Sequence, residues 1–459
     1  MTSRRDFLWR FGGGLGGVAL AHLLADGATH HAPKAKRVVQ IFLNGGMSQP
    51  DTFDYKPELE KNHDKPFDPG TKEKVEGVTS VPGKLMKSPF PFRQHGQCGR
   101  WVSTVFPHLA KRVDDLAFLM AVASKTNVHG PASYMMNTGF TRPGFPSLGS
   151  WLSYGLGRLS DNLPTFVVLP DARGLPYNQK GNFSNGFLPA AHGATILNAS
   201  ANPPIPDLRP SAKYDYATPE ADADGRELLA KLNRAHAEER PGDSRLDARI
   251  ASYELAANLQ RHAPEALDLS RETKIVRDLY GADDPITGDF GRRCLLARRL
   301  LERGVRFVQV WSGAGGPSNN WDNHTDIIRE LPAIARQVDQ PTAALLADLK
   351  QRGMLSDTLV VFSTEFGRQP FTQGATGRDH NQGTSVAWFA GAGVKGGVAF
   401  GESDPWSWRA AEGKLYCYDV HATILHLLGL NHEKLTVRHD GIDRRITDVH
   451  GHVVKEILS

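Results

Sequence analysis

Arg37-Val38-Val39-Gln40-Ile41-Phe42-Leu43, followed at once by Asn44-Gly45-Gly46, is the stretch that decides the fold. A run of β-branched, aliphatic and aromatic side chains with one polar interruption describes a strand buried on both faces. A glycine turn at its end is how a central parallel strand hands the chain to a ligand-binding loop. Working outward, the pattern repeats. Strands are expected at 116–122, 165–169, 305–311, 357–363 and 385–390. Helices are expected at 131–137, 148–156, 290–303, 324–352 and 419–428, the last three stopped by Gly304, Gly353 and Gly429. Strands alternating with helices give an α/β fold with a mostly parallel central sheet flanked by helices. Residues 170–212 are rich in Gly, Pro and Asn and read as a long irregular excursion. Helical periodicity returns at 220–261 through Leu228, Leu229, Leu232, Ile250, Leu255 and Leu259, split by Pro241-Gly242-Asp243. The segment 219–285 is therefore expected as an inserted helical lobe.

The ends and the bulk set the compartment. Arg4-Arg5 stands just before an apolar stretch interrupted by Gly12, Gly13, Gly14, Gly16 and Gly17. A charged start and a short glycine-rich apolar run describe an export leader of the twin-arginine type, not a membrane span of about 20 apolar residues. Residues 1–30 are thus expected as a signal segment read by the twin-arginine translocase. The domain at 35–459 is then periplasmic or extracellular. The formal net charge is only +4, without long basic runs, which argues against a nucleic-acid partner. No second apolar stretch is long enough to span a bilayer. Cys98, Cys294 and Cys417 are too few and too odd for a disulfide framework and read as buried thiols.

Ligands bind where parallel strands end, so the polar residues just after strands carry the chemistry. Gly313-Ala314-Gly315-Gly316 and Trp321-Asp322-Asn323-His324 follow one strand. Thr364-Glu365-Phe366-Gly367-Arg368 follows another, with Gly377-Arg378-Asp379-His380-Asn381 close behind. Carboxylates mixed with imidazoles suit a divalent metal. Each residue also has a plainer reading. Asp322 can cap the long helix, Glu365 can pair with Arg368, and Asp379-His380 can tie a loop. His129-Gly130-Pro131 opens a helix after the 116–122 strand, where a nucleophile meets free N–H groups. His129 can equally cap that turn.

This pattern resembles the alkaline phosphatase and sulfatase superfamily. His129-Gly130-Pro131 followed by Thr138-Gly139 falls in the register of its nucleophile segment. Asp322 and His324 resemble a metal pair, Thr364-Glu365-Phe366-Gly367 sits where Asp-His-Gly is expected, and His380 resembles the final His. The chain resembles more closely the sulfatase-like domain-of-unknown-function family 1501. Asn44-Gly45-Gly46-Met47-Ser48-Gln49-Pro50-Asp51-Thr52-Phe53-Asp54 carries that likeness, with Arg240-Pro241-Gly242-Asp243-Ser244 and Ser252-Tyr253-Glu254-Leu255. Asp357-Thr358-Leu359-Val360-Val361, Glu365-Phe366-Gly367-Arg368, Gly377-Arg378-Asp379-His380 and Asp419-Val420-His421-Ala422-Thr423 complete it. Three residues depart from the superfamily: Asn44 replaces its first metal Asp, His129 its nucleophile, and Phe366 its metal His.

The resemblance implies a metal-dependent hydrolase of a sulfate or phosphate ester, small-molecule or glycan. Asp322, His324 and His380 would hold a divalent metal (Zn, Mn or Ca), completed by Glu365 or Asp379. Asp51 or Asp54 would replace the lost carboxylate. Arg368 would fork the anion, and His129 would act as base or as a phosphohistidine nucleophile. The alternative is a non-catalytic binding or scaffold protein on the same fold.

Overall fold

A computed structural model describes residues 29–459 except 71, 73, 76, 200–217, 242, 244, 245, 247, 248, 251, 252, 255, 256, 258–262, 317 and 318. The leader through residue 28, Ser244, Ser252, Leu255 and Leu259 lie outside the described residues. The main sheet is built from β1 (Arg37–Leu43), β2 (Leu116–Leu119), β3 (Phe166–Leu169), β4 (Thr195–Ile196), β5 (Phe307–Ser312) and β6 (Thr358–Thr364). A separate hairpin follows, β7 (Gly367–Gln373) with β8 (Gly377–Asn381), before β9 (Ala387–Ala390) and β10 (Val398–Phe400) rejoin the sheet. Its eight strands run in the order β10-β2-β9-β6-β1-β5-β3-β4. β6, β1, β5, β3 and β4 are mutually parallel, and β9 alone runs antiparallel to its neighbours. The mostly parallel α/β fold is as expected.

β1 sits at the centre because its side chains satisfy both faces. Val39, Ile41 and Leu43 enter one core cluster with α4 (Gly288–Glu302) and α5 (Ile327–Gln351). Val38 and Phe42 enter the other, with α2 (Leu148–Leu156) and α6 (Cys417–Leu427). All five are fully buried, and each contributes about 1.5–3 kcal/mol. The one polar residue inside the strand's apolar run, Gln40, is matched across the sheet: it donates to Ser363 Oγ at 3.2 Å and accepts from Gln309 Nε2 at 3.1 Å. A buried amide so partnered fixes strand register rather than weakening the core.

Three expectations are corrected. The helix expected from 324 begins at Ile327, because the Asp326 side chain accepts from Arg329 N and caps it there. Asp322 is therefore not its cap, and Trp321 to Thr325 stay non-helical. The β7/β8 hairpin stands where only a loop at Asp379-His380 is expected; most of its residues are polar yet buried, so hydrophobic alternation gives no signal. Of the three free thiols, Cys98 is exposed and only Cys294 and Cys417 are buried. The segment expected as a lobe begins with α3 (Pro219–Glu238), on which Leu228, Leu229 and Leu232 are exposed. Among the described residues no helix is long and apolar enough to cross a membrane.

The core makes the fold acid-sensitive. Burial pushes the imidazoles of His192 and His421 down to about 4. His421 bonds Met136 O at 2.9 Å and His192 bonds Ser153 Oγ at 3.0 Å. The unfolded chain takes up these protons near 6.5, so the folded state loses stability as pH falls from about 6.5 to 4. The loss is at most ~3 kcal/mol per residue. Urea midpoints measured at pH 7 and pH 4.5 should show the drop. Equal midpoints would contradict it.

Candidate metal centre

Three adjacent parallel strands converge on the site. Leu43 lies level with Ser312 on one side and with Thr364 on the other, so Asn44, Gly313 and Glu365 emerge together at the carboxyl end. Gly45 N donates to Glu365 Oε1 at 2.7 Å, and Trp321 N donates to Asn44 O at 3.0 Å. Trp321 Nε1 donates to Ser312 Oγ at 3.0 Å, which anchors the loop that carries Asp322 and His324. Across the hairpin, His380 is the register partner of Arg368. His129 is the first residue of α1 (His129–Thr138).

The turn after β1 admits only glycine. Gly45 has φ of +120°, and a Cβ there would lie 2.6 Å from Trp321 N and 2.7 Å from Asp322 N. Gly45→Ala is expected to destabilise the fold by ~3 kcal/mol or more through strain and backbone clash. Chemical denaturation measures it. A change below 1 kcal/mol would mean that the turn relaxes without disturbing Asp322.

His129, Asp322, His324 and His380 each present one ligand atom, and all four atoms lie within 4.8 Å of one another. Every imidazole is oriented by an oxygen at its other nitrogen. His380 Nδ1 faces Asn127 O at 2.7 Å, His129 Nδ1 faces Glu365 Oε1 at 3.0 Å, and His324 Nδ1 faces the Gln373 amide oxygen. A backbone carbonyl, a carboxylate and an amide oxygen accept only, so each Nδ1 carries the proton. The three Nε2 lone pairs are left to converge with Asp322. Nε2 of His324 and of His380 stand 2.7 and 3.1 Å from Asp322 Oδ1, and 2.8 Å from each other. His129 Nε2 lies buried 3.2 Å from Asp322 Oδ2 without hydrogen-bond alignment.

The electrostatics follow from burial and charge. Burial pushes the Asp322 carboxyl up, but Arg368 and the three imidazoles outweigh it and hold it far below the usual carboxylate range. Burial lowers His129, yet the carboxylates of Asp322 and Glu365 leave it above an ordinary imidazole. His380 falls to about 4, mainly through burial, against the stabilising pull of the Asp322 carboxylate, which accepts from it. The ring of Tyr177 stacks on His129 at 4.4 Å and 10°, and burial raises its phenol to about 12.

The structure does not bring every expected residue here. Asp51 is taken up by Arg378, at 2.6 and 3.0 Å, and accepts from Ser48 Oγ. Asp379 accepts from Val78 N, Thr79 N and Thr79 Oγ1, the loop-tying reading of that residue. Asp54 accepts from Ser403 and Ser407. Arg368 is 1% exposed and is not an open anion fork. Its guanidinium donates to the carbonyls of Gly45, Gly46 and Arg378, and to Asp322 Oδ1 at 2.6 Å. It positions the glycine turn and Asp322. Its carboxylate partner is Asp322, not Glu365. The Asn44 amide donates to Ala314 O at 2.9 Å, and the Phe366 ring packs at 5.0 Å from His129 and 4.7 Å from His380. Sequence reading missed Asn127, Tyr177 and Gln373. Only the glycine-rich stretch at 170–212 hinted at Tyr177, as long loops in compact domains carry function.

The sequence matches, over residues 35–458, the family described as a protein of unknown function (DUF1501). No curated protein matches it. Among solved structures it is similar to a sulfatase from Pseudoalteromonas sp., at 14% identity over 90% of this chain and 72% of that one, with a TM-score of 0.37. It is similar to an alkaline phosphatase from the Antarctic bacterium TAB5, at 12% identity over 87% and 99% of the two chains, TM-score 0.36. A lipoteichoic acid synthase from Listeria monocytogenes is 9% identical over 94% and 80%, TM-score 0.37.

Proposed function

The chain belongs to the DUF1501 family of proteins of unknown function, and we propose that it is a metal-dependent hydrolase of sulfate or phosphate esters, exported by the twin-arginine route. One observation carries the metal reading. Three imidazoles have their Nδ1 protons held by oxygens, which aims three Nε2 atoms at Asp322. Carboxylate-backed or carbonyl-backed imidazole is the usual second layer of a metal site. The buried Nε2 of His129, 3.2 Å from Asp322 Oδ2 but not aligned for a hydrogen bond, suits a metal ligand better than a member of a hydrogen-bond network. Three nitrogens and one oxygen suit Zn²⁺ or Mn²⁺. They do not suit Ca²⁺, which takes six to eight oxygens. The motif order that resembles the phosphatase and sulfatase superfamily supports the ester class.

A bound divalent ion would polarise an ester oxygen or lower the pKa of a water. The chain's own residues set the geometry. Glu365 orients His129 from behind and holds Gly45 N. Arg368 fixes Asp322 and the turn. Tyr177 and Phe366 cover the His129 ring and limit water there. Under this reading His129 is a ligand rather than a nucleophile or base.

A second reading, a binding or scaffold protein, draws on one feature: four protein donors can close a tetrahedral shell, as structural zinc sites do. The experiment separates them. The protein is produced with its own leader in a twin-arginine-competent host, purified from the periplasm, and assayed by mass spectrometry and on 4-nitrophenyl sulfate and phosphate. One metal per chain with chelator-sensitive hydrolysis is expected. Bound metal without hydrolysis favours the scaffold. A metal-free protein sinks the metal reading.

A further inference from the structure

A cavity of about 410 Å³ opens beside the four donors, with Asp322 and His324 in its wall. That volume lies within the range of small-ligand pockets. Its far wall is one face of α5: Glu330, Ala333, Ile334 and Gln337 follow the i, i+3, i+4, i+7 spacing of a single helix stripe. Arg173 lines it from the loop after β3. The guanidinium is braced, because Asp171 accepts from its Nε at 2.7 Å and from its Nη2 at 2.6 Å. Asp171 in turn accepts from Gly313 N at 2.8 Å, which ties Arg173 to the strand ends of the metal centre.

Ligand pockets are ordinarily mostly apolar with a few polar groups. Here the proportion is reversed. Among the described residues Ala333 and Ile334 are the apolar members, and no Phe, Tyr or Trp lines the space. Three asparagines, a glutamine, a threonine, a glutamate and the arginine join Asp322 and His324 in the rest of the wall. Planar amide, carboxylate and guanidinium groups each offer paired hydrogen-bonding atoms, which match adjacent hydroxyls. An aryl or alkyl group in this space would find apolar contact only at Ala333 and Ile334 among the described residues. The charge argues further. Arg173 is already matched by Asp171, and Glu330 adds a negative charge, so a second anionic substituent gains nothing here.

We propose that this cavity seats the alcohol half of the ester and that the alcohol is a neutral sugar, with Glu330, Gln337 and Arg173 as the specificity-determining side chains. The inference rests on the ester-hydrolase reading and deepens it. The metal centre would hold the anionic group while the α5 face and Arg173 hold the hydroxyls.

The test is calorimetric titration of the metal-loaded full chain with matched pairs. Glucose, galactose and N-acetylglucosamine 6-sulfates are set against phenyl sulfate, and the corresponding 6-phosphates against phenyl phosphate. At least one sugar ester is expected to bind tenfold or more tighter than the phenyl ester of the same acid. Glu330→Ala and Gln337→Ala, made separately, are expected to bring that ratio below threefold with bound metal per chain unchanged. Unchanged metal also shows that the variants fold. The inference is overturned if phenyl esters bind as tightly as every sugar ester, if the preference survives both substitutions, or if no probe binds the metal-loaded chain. A wild-type chain without metal, read separately by mass spectrometry, fells the hydrolase reading and this inference together.

Discussion

Asp322→Asn is expected to empty the metal centre and to destabilise the metal-free protein by ~3–5 kcal/mol. Asparagine keeps the shape and loses the charge. Asp322 is the common partner of four cationic or nitrogen groups: Arg368 at 2.6 Å, His324 at 2.7 Å, His380 at 3.1 Å and His129 at 3.2 Å. Arg368 is the reason for the stability term. Its side chain is 1% exposed, and its other acceptors are backbone carbonyls and one imidazole nitrogen. Without Asp322 it becomes a buried cation with no counter-charge, which costs far more than a surface pair would. The metal term is larger still. Removing a group behind a ligand costs about 10–100-fold in affinity, and under the proposed metal reading Asp322 is itself a ligand, the one carboxylate in the four-residue group found among the described residues. Equilibrium dialysis with Zn²⁺ or Mn²⁺ reads the affinity, and urea denaturation of the chelated protein reads the stability. A variant that keeps one metal per chain, or that unfolds at the parent's midpoint, would remove Asp322 from the hub of the site.

What the sequence made legible follows from which interactions are local. β1 was readable to the residue because burial on both faces leaves an apolar run broken only at Gln40. α2 was equally readable, between Ser147, which caps it, and Gly157. The site was half readable. Asp322, His324 and His380 could be chosen because they follow strand ends, where parallel sheets place ligands. Asp51 and Asp379 share that position in the chain but are drawn off by Arg378 and by the 78–79 loop. Such competition between long-range partners leaves no mark in local sequence. The β7/β8 hairpin went unread for the same reason. Its burial depends on polar contacts such as Arg378 with Asp51 and Gln369 with His380 O. The His129 register suggested a nucleophile, and only the distances bring its Nε2 into the donor group.

The second large effect therefore concerns His129. His129→Ala is expected to lower metal affinity a hundredfold or more and to abolish metal-dependent hydrolysis with it. The same substitution under a phosphohistidine mechanism gives a different signature: hydrolysis is lost while metal content stays full. The geometry argues for the first outcome. Glu365 Oε1 holds Nδ1 at 3.0 Å, so Nε2 is the only nitrogen available for attack or ligation. That Nε2 lies inside the group whose donors are within 4.8 Å of one another. Tyr177 stacks on one side of the ring and Phe366 packs nearby, so the ring cannot swing away without breaking both contacts. The alanine would leave an imidazole-shaped gap between these aromatic neighbours. Added free imidazole is expected to refill it and to restore metal binding and turnover together. Acid-quenched and base-quenched reactions with a labelled phosphoester supply the independent check, because a phosphohistidine survives base and not acid. No base-stable label on the wild-type chain is expected. A trapped label that disappears in His129→Ala, alongside undiminished metal, would return His129 to the nucleophile's role and leave Asp322, His324 and His380 as a three-donor site.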